Sequence, residues 1–298
     1  MIDDGAVVDG AVVDVAERDR ILSVGLEHLR DLPWRRTRDP WAILVSEVML
    51  QQTQVTRVIP RWEQFLDRWP TPAACASASV GDLLEQWQGL GYPRRARDLR
   101  LAAAACVARH GGTLPSTLEE LLALPGVGPY TARAVLTFAF EVDVGVVDTN
   151  VARILARRAG RRLRPRETQE SADAWVPSGR SWEWNQVLMD LGSTRCRPTP
   201  DCDGCPVTCA WRDAGHPLPD PAVGSAGVSG RQARFAGSDR QLRGRVLSAV
   251  TAGGSDAEGI ERRLVEEGIE AHRVASVVAS LRADGLVIRD AEGLLVHP

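Results

Sequence analysis

The sequence predicts a mainly α-helical protein. Apolar residues recur at helical spacing through most of the chain, for example at Leu118, Leu121 and Leu122. A glycine-rich turn at residues 124–128 ends that helix, and Pro129, which suits the first turn of a helix, begins the next one. Strand-like patterns are confined to short stretches near the two ends of the chain.

The turn at residues 124–128 places two glycines directly before a helix. Backbone N–H groups at the N-terminus of a helix lack partners within the helix and attract anions. Gly126, Val127 and Gly128 are therefore candidates to bind a phosphate. A plain helical hairpin turn explains the same residues equally well, so the turn alone leaves both interpretations open.

Composition limits the class of protein. The chain has 298 residues, 44% of them hydrophobic, which suits one large or two smaller domains with a proper core. No apolar run reaches the roughly 18 residues of a membrane span. The first residues are acidic where a secretory signal would be basic, so we expect a cytoplasmic protein. The formal charge of −3 argues against a DNA-coating protein, but arginines in the middle of the chain are compatible with a local DNA-binding patch.

One acid, Glu47, lies within an apolar helical stretch between Ser46 and Val48. A buried carboxylate is costly unless it is paired or functional. Burial also raises the pKa of a carboxyl group toward the range in which a general acid works. Glu47 is therefore a candidate general acid, and the alternative is a solvent-facing glutamate on an amphipathic helix.

A second acid, Asp148, follows two valines and precedes another helix. The block of residues 121–150 resembles the helix-hairpin-helix DNA glycosylases, in which a Gly/Pro-rich hairpin is followed by one essential aspartate. The resemblance implies that Asp148 is the catalytic carboxylate. The residues alone also suit a helix N-cap. The two roles are compatible, because a helix N-terminus stabilises an anion.

A closer resemblance, to the MutY-type adenine DNA glycosylases, covers about residues 22–212. It rests on LPWR at residues 32–35, SEVMLQQTQV at 46–55, GLGY at 89–92 and LPGVGPYT at 124–131. The family removes adenine opposite 8-oxoguanine or guanine from double-stranded DNA. The resemblance therefore implies a monofunctional base excision repair enzyme, with a six-helix barrel lobe and an iron–sulfur lobe. Glu47 is the sharpest discriminator, since members that act on other bases typically lack it.

The resemblance assigns further residues by position. Glu47 would protonate the adenine, Asp148 would stabilise the sugar cation, and Tyr130 and Asn150 would orient the site and its water. Trp34, Arg35 and Gln186 are implied to line the adenine pocket, and Gln51 and Gln52 to fill the gap in the duplex. Leu50 and Tyr92 are implied to bind the substrate, and Gly126, Val127 and Gly128 to bind a DNA phosphate.

Two other functions were weighed against this one. A glycosylase for thymine or uracil opposite guanine is disfavoured by Glu47, because a pyrimidine has no ring nitrogen equivalent to purine N7. A non-catalytic iron–sulfur DNA-binding protein is disfavoured by the presence of both Glu47 and Asp148. We expect a monomer that acts on the DNA of a bacterial nucleoid.

Four cysteines lie close together, separated by five, two and three residues: Cys196, Cys202, Cys205 and Cys209. Disulfides are disfavoured in the cytoplasm, so this spacing predicts a metal site. The spacing fits either a zinc ion or an iron–sulfur cluster. The family resemblance implies a [4Fe–4S] cluster, although the family's first and last gaps are longer, at six and five residues.

The predicted organisation has five parts. An acidic tail comes first, and a linker rich in Pro, Gly and Ala precedes a winged-helix-like module of three helices and two short strands. The usual C-terminal domain of the family is instead Nudix-like, and a capping or protein-contact role for the module remains the alternative. The boundaries are 1–18 for the tail, 19–45 with 149–212 for the iron–sulfur lobe, 46–148 for the barrel lobe, 213–238 for the linker and 239–298 for the module.

The chain contains no lysine; all 36 of its basic residues other than histidine are arginine. A side-chain amine is needed to form a Schiff base with an aldehyde sugar. In the resemblance, Tyr130 stands where lyase-type relatives carry lysine. The sequence therefore predicts base removal without strand cleavage.

Overall fold

The computed structural model describes residues 7–8, 11–12, 14–228, 234–252 and 255–298. The predicted mainly helical fold is confirmed. The chain divides into two compact units, unit 1 formed by residues 1–43, 116–118 and 128–231 and unit 2 by residues 44–115, 119–127 and 232–298. No helix in the described part of the chain is long and apolar enough to cross a membrane.

The helices follow one another along the chain, with one 3₁₀ turn, Pro33–Arg36, between the first two. They are α1 Val15–Leu26, α2 Pro40–Leu50, α3 Val55–Arg68, α4 Pro72–Ala76, α5 Val80–Gln86, α6 Arg94–Arg109, α7 Leu118–Leu122, α8 Pro129–Phe140, α9 Thr149–Ala159, α10 Pro165–Trp175, α11 Ser181–Thr194, α12 Ala210–Asp213, α13 Asp239–Thr251, α14 Ala257–Glu266 and α15 Ala271–Ala283. The strands are β1 Val7–Val8, β2 Ala11–Val12, β3 Ser255–Asp256, β4 Ile288–Arg289 and β5 Leu294–Val296.

The N-terminal region differs in part from the prediction. Strands β1 and β2 pair antiparallel, and the rest of the segment up to residue 13 lies outside the described residues. Helix α1 begins within the predicted acidic tail, because Asp14 caps it by accepting the amide of Ala16 at 2.9 Å. The helix ends at Leu26.

Helix α2 is buried on all sides. Every residue from Trp41 to Met49 is buried, including Ser46 and Glu47. The helix begins where the carboxylate of Asp39 accepts the amides of Trp41 and Ala42, both at 3.2 Å. The polar run at residues 51–54 separates α2 from α3.

The core of unit 1 is formed around α1, α9, α10 and α11. Trp175 and Trp184 are almost fully buried and meet edge to face with ring centroids 5.0 Å apart. A side chain at Gly192 of α11 would place its Cβ 2.6 Å from the Cβ of Asn150 on α9. Glycine is therefore needed for the close approach of these two helices.

The predicted linker is partly a packed segment of unit 1. Ala222 is 2% exposed and Ser225 is 4% exposed. The hydroxyl of Ser225 accepts the amide of Leu163 at 3.1 Å, and the amide of Ala226 donates to the Leu163 carbonyl at 3.0 Å. A composition rich in Pro and Gly predicts irregular backbone, and it does not reveal whether that backbone finds hydrogen-bond partners.

The C-terminal module has the three helices and two strands that the sequence predicts, and the additional strand β3. The sheet order is β3-β5-β4, with both pairings antiparallel. This element order is that of a winged helix. The module is part of unit 2, where His297 packs on Gly81 of α5 and Arg97 of α6 donates to the carbonyl of Asp284.

Candidate active site and cysteine cluster

Asp148 lies directly before α9 and caps it. Its Oδ1 accepts the amides of Asn150 at 2.9 Å and Val151 at 2.7 Å. Its Oδ2 accepts the side-chain amide of Asn150 at 2.8 Å. The N-cap predicted for this residue is confirmed, and it leaves a carboxylate fixed through both oxygens at the positive end of a helix.

The surroundings of Asp148 act on its acidity in two directions. Burial raises the pKa of Asp148 above its ordinary value of 3.8, because the charged form loses hydration. The hydrogen bonds from Val151 and Asn150 and the charge of Arg153 oppose the rise without cancelling it. The carboxyl group thus takes up a proton more readily than an exposed aspartate does.

Asn150 links Asp148 to Arg153. Its side-chain oxygen accepts Nη2 of Arg153 at 2.8 Å, and the same Nη2 donates to the carbonyl of Gly192 at 2.7 Å. The Nε of Arg153 donates at 2.5 Å to the carbonyl of Cys196, the first cysteine of the cluster. Because the Arg153 guanidinium is buried, it forms a rigid bridge from the cysteine loop to the carboxylate.

The segment that leads into Asp148 is held by Asn185 of α11. Asn185 Oδ1 accepts the amide of Val146 at 2.7 Å, and its Nδ2 donates to the carbonyls of Val144 at 3.0 Å and Ser181 at 2.8 Å. Asn185 is 1% exposed, so these bonds are shielded from water. Sequence reasoning did not assign a role to Asn185, although a polar residue inside an apolar helix is a signal for one.

Glu47 belongs to unit 2 and is 5% exposed on α2. Burial of this side chain, predicted from its apolar neighbours, is confirmed. The solvent-facing alternative is wrong, because Glu47 is buried together with its neighbours on the helix, Val48 and Met49. A carboxyl group in such surroundings is either paired or functional.

Arg95 joins two loops of unit 2. Its Nη1 donates to the carbonyls of Val48 at 2.7 Å and Gln51 at 2.7 Å, and its Nη2 donates to those of Leu90 and Gly91, each at 2.9 Å. Burial lowers the pKa of Arg95 to about 10, at which it is still charged at neutral pH. Nothing in the sequence separates Arg95 from the neighbouring arginines, and sequence reasoning missed it.

The two loops joined by Arg95 carry four of the predicted substrate-binding residues, Leu50, Gln51, Gln52 and Tyr92. Gln52 and Tyr92 have positive φ, at 56° and 49°. That conformation is unfavourable for residues with a side chain and needs support from its surroundings. Gln52 is exposed, whereas Leu50, Gln51 and Tyr92 are half-buried.

The predicted phosphate-binding turn is built from residues with different roles. Gly126 has φ 74°, and a Cβ there would lie 2.7 Å from that of Asp98. The amide of Val127 donates to the carbonyl of Leu124 at 3.2 Å, so it closes the turn. Gly128 is exposed and caps α8 without a side-chain bond, with Tyr130 half-buried in the first turn.

Trp34, Arg35 and Gln186 all lie buried in unit 1. The Arg35 guanidinium donates to both oxygens of Asp190 at 2.8 Å. Burial acts to raise the pKa of Asp190, but hydrogen bonds from Arg35 and Arg30 outweigh it and hold the pKa below its ordinary value. Arg35 therefore fixes the 3₁₀ turn that carries Trp34, and the pocket role of these residues stays a prediction.

The four cysteines line one cavity in unit 1, together with apolar side chains that include Ile154, Leu191 and Trp211. Arg157 lies 3.4 Å from Sγ of Cys196, and His216 Nε2 lies 3.5 Å from Sγ of Cys202. Within the described residues, no three His, Cys, Asp or Glu side chains converge on a point that would hold one metal ion. The thiols surround a space, and nitrogen atoms of Arg157 and His216 face two of them.

The structure thus brings together separate groups of the predicted site residues in each unit. In unit 1, hydrogen bonds connect Asp148 and Asn150, through Arg153, to the loop of Cys196. In unit 2, Arg95 gathers the loops of Gln51 and Tyr92.

The class of protein follows from the comparison with known families. Residues 45–178 match the family described as HhH-GPD superfamily base excision DNA repair protein. A solved structure of a thermostable thymine-DNA glycosylase is similar, with a TM-score of 0.62 and 28% sequence identity over 67% of this chain and 98% of that one. The fold is that of a helix-hairpin-helix DNA repair protein.

Sequence relatives narrow the class. The adenine DNA glycosylase of Mycobacterium tuberculosis (strain CDC 1551 / Oshkosh) is 42% identical over 278 residues, 90% of this chain and 89% of that protein. The adenine DNA glycosylase of Homo sapiens is 40% identical over 237 residues, 73% of this chain and 43% of the human protein. The chain belongs to the adenine DNA glycosylase family, whose members hydrolyse N-glycosyl bonds.

Proposed function

We propose that this protein removes adenine mispaired with 8-oxoguanine or guanine from double-stranded DNA. The family relationship supports adenine as the base released. The observation that carries the proposal is the burial of Glu47 in apolar helix α2. A carboxylic acid in such a place can donate a proton to a purine ring nitrogen, which gives adenine a route to leave as a neutral base.

The proposed reaction uses two carboxyl groups in different roles. Glu47 protonates adenine at N7, the bond between the sugar C1′ and N9 breaks, and its electron pair leaves with the base. The sugar becomes an oxocarbenium ion, which ionised Asp148 stabilises, as in glycoside hydrolysis by paired carboxylates. Water then adds to C1′ and gives its proton to the carboxylate of Glu47, which leaves an abasic site and restores the acid. Asn150 holds the Asp148 carboxylate, and Tyr130 orients the site.

The adenine must leave the helical stack before this chemistry. We propose that Gln51, Gln52 and Tyr92 occupy the gap left in the duplex. This proposal is supported by the rigidity of the two loops, which Arg95 joins by hydrogen bonds. In these loops the backbones of Gln52 and Tyr92 are held in the left-handed conformation. Gly126 and Gly128 would bind a DNA phosphate by donating hydrogen bonds from their backbone amides, while Val127 shapes the turn.

The four cysteines would hold a [4Fe–4S] cluster. Proteins like endonuclease III typically carry one. Four thiols that line one cavity together with apolar side chains can hold a metal group. The family relationship supports an iron–sulfur cluster over a zinc ion. The cluster would be structural, closing the loop that contacts Arg153.

Incubation with four defined duplexes tests the function. We expect base release from A:8-oxoguanine and A:G and none from T:G or U:G, measured as strand breaks after alkali treatment. Release from T:G would favour the thymine activity named for the similar solved structure. Binding without release from any of the four would show a non-catalytic protein.

A further inference from the structure

Arg240 of the winged-helix module contacts Tyr92. Nη1 of Arg240 donates to the Tyr92 hydroxyl at 2.6 Å. The centre of the same guanidinium lies 5.5 Å from the centroid of the Tyr92 ring and 5.1 Å from that of Phe235. Arg240 thus binds Tyr92 by a short hydrogen bond and lies within the distance usual for cation–π attraction.

The position of Arg240 is unfavourable for a cation unless a contact compensates. It lies in the first turn of α13, whose N-cap is Ser238. The helix dipole disfavours positive charge there. The tyrosine hydroxyl and the two rings offset that penalty, so the contact with Tyr92 accounts for an arginine at this site.

Tyr92 needs such a partner more than most residues do. Its φ of 49° lies in the left-handed region, which a residue with a Cβ adopts only where its surroundings hold it. The guanidinium of Arg95 also lies 5.5 Å from the centroid of the same ring. The Tyr92 ring therefore has two arginines within cation–π distance, one from helix α6 and one from the C-terminal module.

The module itself is anchored firmly enough to position a side chain. The carboxylate of Asp284 accepts a hydrogen bond from Arg243 within the module. Its Oδ1 lies 3.6 Å from Nε of Arg94 on α6. Asp284 also offers its carbonyl to Arg97. Helix α13, which carries Arg240, is thereby fixed to the helix that follows the Tyr92 loop.

We propose that Arg240 is a positioning residue for Tyr92, and that the winged-helix module thereby takes part in recognising the base opposite adenine. This rests on the proposed function, in which Tyr92 enters the duplex. Arg240 sets the hydroxyl and ring plane of Tyr92 before DNA binds, so less ordering is required on binding. It takes no part in the chemistry at the sugar.

The test compares Arg240→Ala with Arg262→Ala, which removes an equal charge from an exposed position of the same module. The probe is a duplex with a non-hydrolysable adenosine analogue opposite 8-oxoguanine, and a fully matched duplex measures non-specific binding. Arg240→Ala should raise the Kd for the mismatched duplex by about tenfold, because loss of one charge-assisted hydrogen bond has an effect of that size. The single-turnover rate at saturating enzyme should stay within about twofold, as for loss of uniform binding.

Two further variants separate positioning from loss of fold. Arg240→Lys should recover part of the mismatch affinity because it keeps a charged donor. The double variant Tyr92→Phe with Arg240→Ala should lose less binding free energy than the two single variants lose together, since the two residues share one interaction. Equal weakening by Arg240→Ala and Arg262→Ala, on matched and mismatched duplexes alike, would overturn the proposal. Absence of adenine release by the unaltered protein would instead overturn the proposed function.

Discussion

The side-chain amide of Asn150 lies 2.8 Å from Oδ2 of Asp148 and donates a hydrogen bond to it. Because Oδ1 already accepts two backbone amides, both carboxylate oxygens are committed. The side-chain oxygen of Asn150 accepts a hydrogen bond from Arg153. The asparagine side chain therefore cannot rotate without breaking its hydrogen bonds to both Asp148 and Arg153. Asn150 therefore fixes the orientation of the carboxylate that we propose stabilises the sugar cation.

Replacing Asn150 should slow chemistry while sparing the fold. Asn150→Ala removes a hydrogen bond to a charged group, worth about 1.5–3 kcal/mol, so we expect a loss of roughly 10- to 100-fold in the single-turnover rate. Gln64→Ala, which removes an exposed amide, is the matched control and should leave the rate unchanged. An Asn150→Ala protein as fast as the control would show that the amide does not matter to catalysis.

The buried carboxyl group of Asp148 should lower the free energy of unfolding at neutral pH. Burial raises its pKa above the ordinary 3.8 in the folded protein. As the pH rises past 3.8, Asp148 loses its proton in the unfolded chain but keeps it in the folded protein. The folded protein then binds more protons than the unfolded chain, so the free energy of unfolding falls as the pH rises. The fall ends once the pH passes the raised pKa. Asp148→Asn removes this effect and retains a residue suited to the N-cap.

The expected result is a pH-dependent gain. The free energy of unfolding of Asp148→Asn minus that of the unaltered protein should increase as pH rises from about 4 and then level off. Urea denaturation at a series of pH values measures it, with the exposed Asp67→Asn as control for net charge. A difference that stays constant with pH, or shrinks as pH rises, would contradict the raised pKa.

Loss of the acid at residue 47 should abolish base release and spare binding. Glu47→Gln keeps the shape of a side chain that is 5% exposed but cannot donate the required proton. We expect a single-turnover rate lower by about 10²–10⁴-fold and a mismatch Kd close to that of the unaltered protein. Glu63→Gln, on the exposed side of α3, controls for the charge. Near-normal turnover by Glu47→Gln would rule out the general-acid role.

Local patterns in the sequence predict the residues whose roles are local. Asp148 could be interpreted as an N-cap because an acid before a helix is sufficient to form one, and Glu47 as buried because its neighbours are apolar. Arg95 and Asn185 could not be interpreted in this way. Their partners are backbone groups that only the folded chain brings within reach, such as the carbonyls of Val48 and Leu90.

The same reason explains the C-terminal region. Three helices and two strands were predictable from periodicity, because each element has its own apolar pattern. The packing of residues 220–226 on unit 1 was not, since it depends on Leu163, which lies about sixty residues earlier in the chain. The contact between Arg240 and Tyr92 is more distant still.

The cysteine loop should contain iron. We expect the purified protein to be brown, with about four irons per chain and no stoichiometric zinc, as a [4Fe–4S] cluster requires. Cys205→Ser should lose iron and mismatch binding together, because the loop also holds Arg153 through the Cys196 carbonyl. Cys106→Ala, at a buried cysteine outside the cavity, should keep its iron. A fully active protein with zinc in place of iron would refute the cluster.

The absence of lysine should leave the DNA strand intact after base loss. A lyase forms a Schiff base between an amine and the aldehyde of the abasic sugar, with loss of water, and borohydride reduces that imine to a stable adduct. No residue of this chain carries a side-chain amine of that kind. We therefore expect an abasic strand that breaks only on heating or in alkali, and no trapped adduct with borohydride.

Tyr130 provides the test in the opposite direction. It is half-buried in the first turn of α8, at the position where the resemblance places the lysine of lyase-type relatives. Tyr130→Lys should give an adduct that borohydride traps, whereas Tyr130→Arg should not, because a guanidinium stays protonated and is not a nucleophile at neutral pH. Efficient trapping of the unaltered protein would overturn the monofunctional assignment. Its loss on acetylation of the chain's α-amino group would identify that group as the amine.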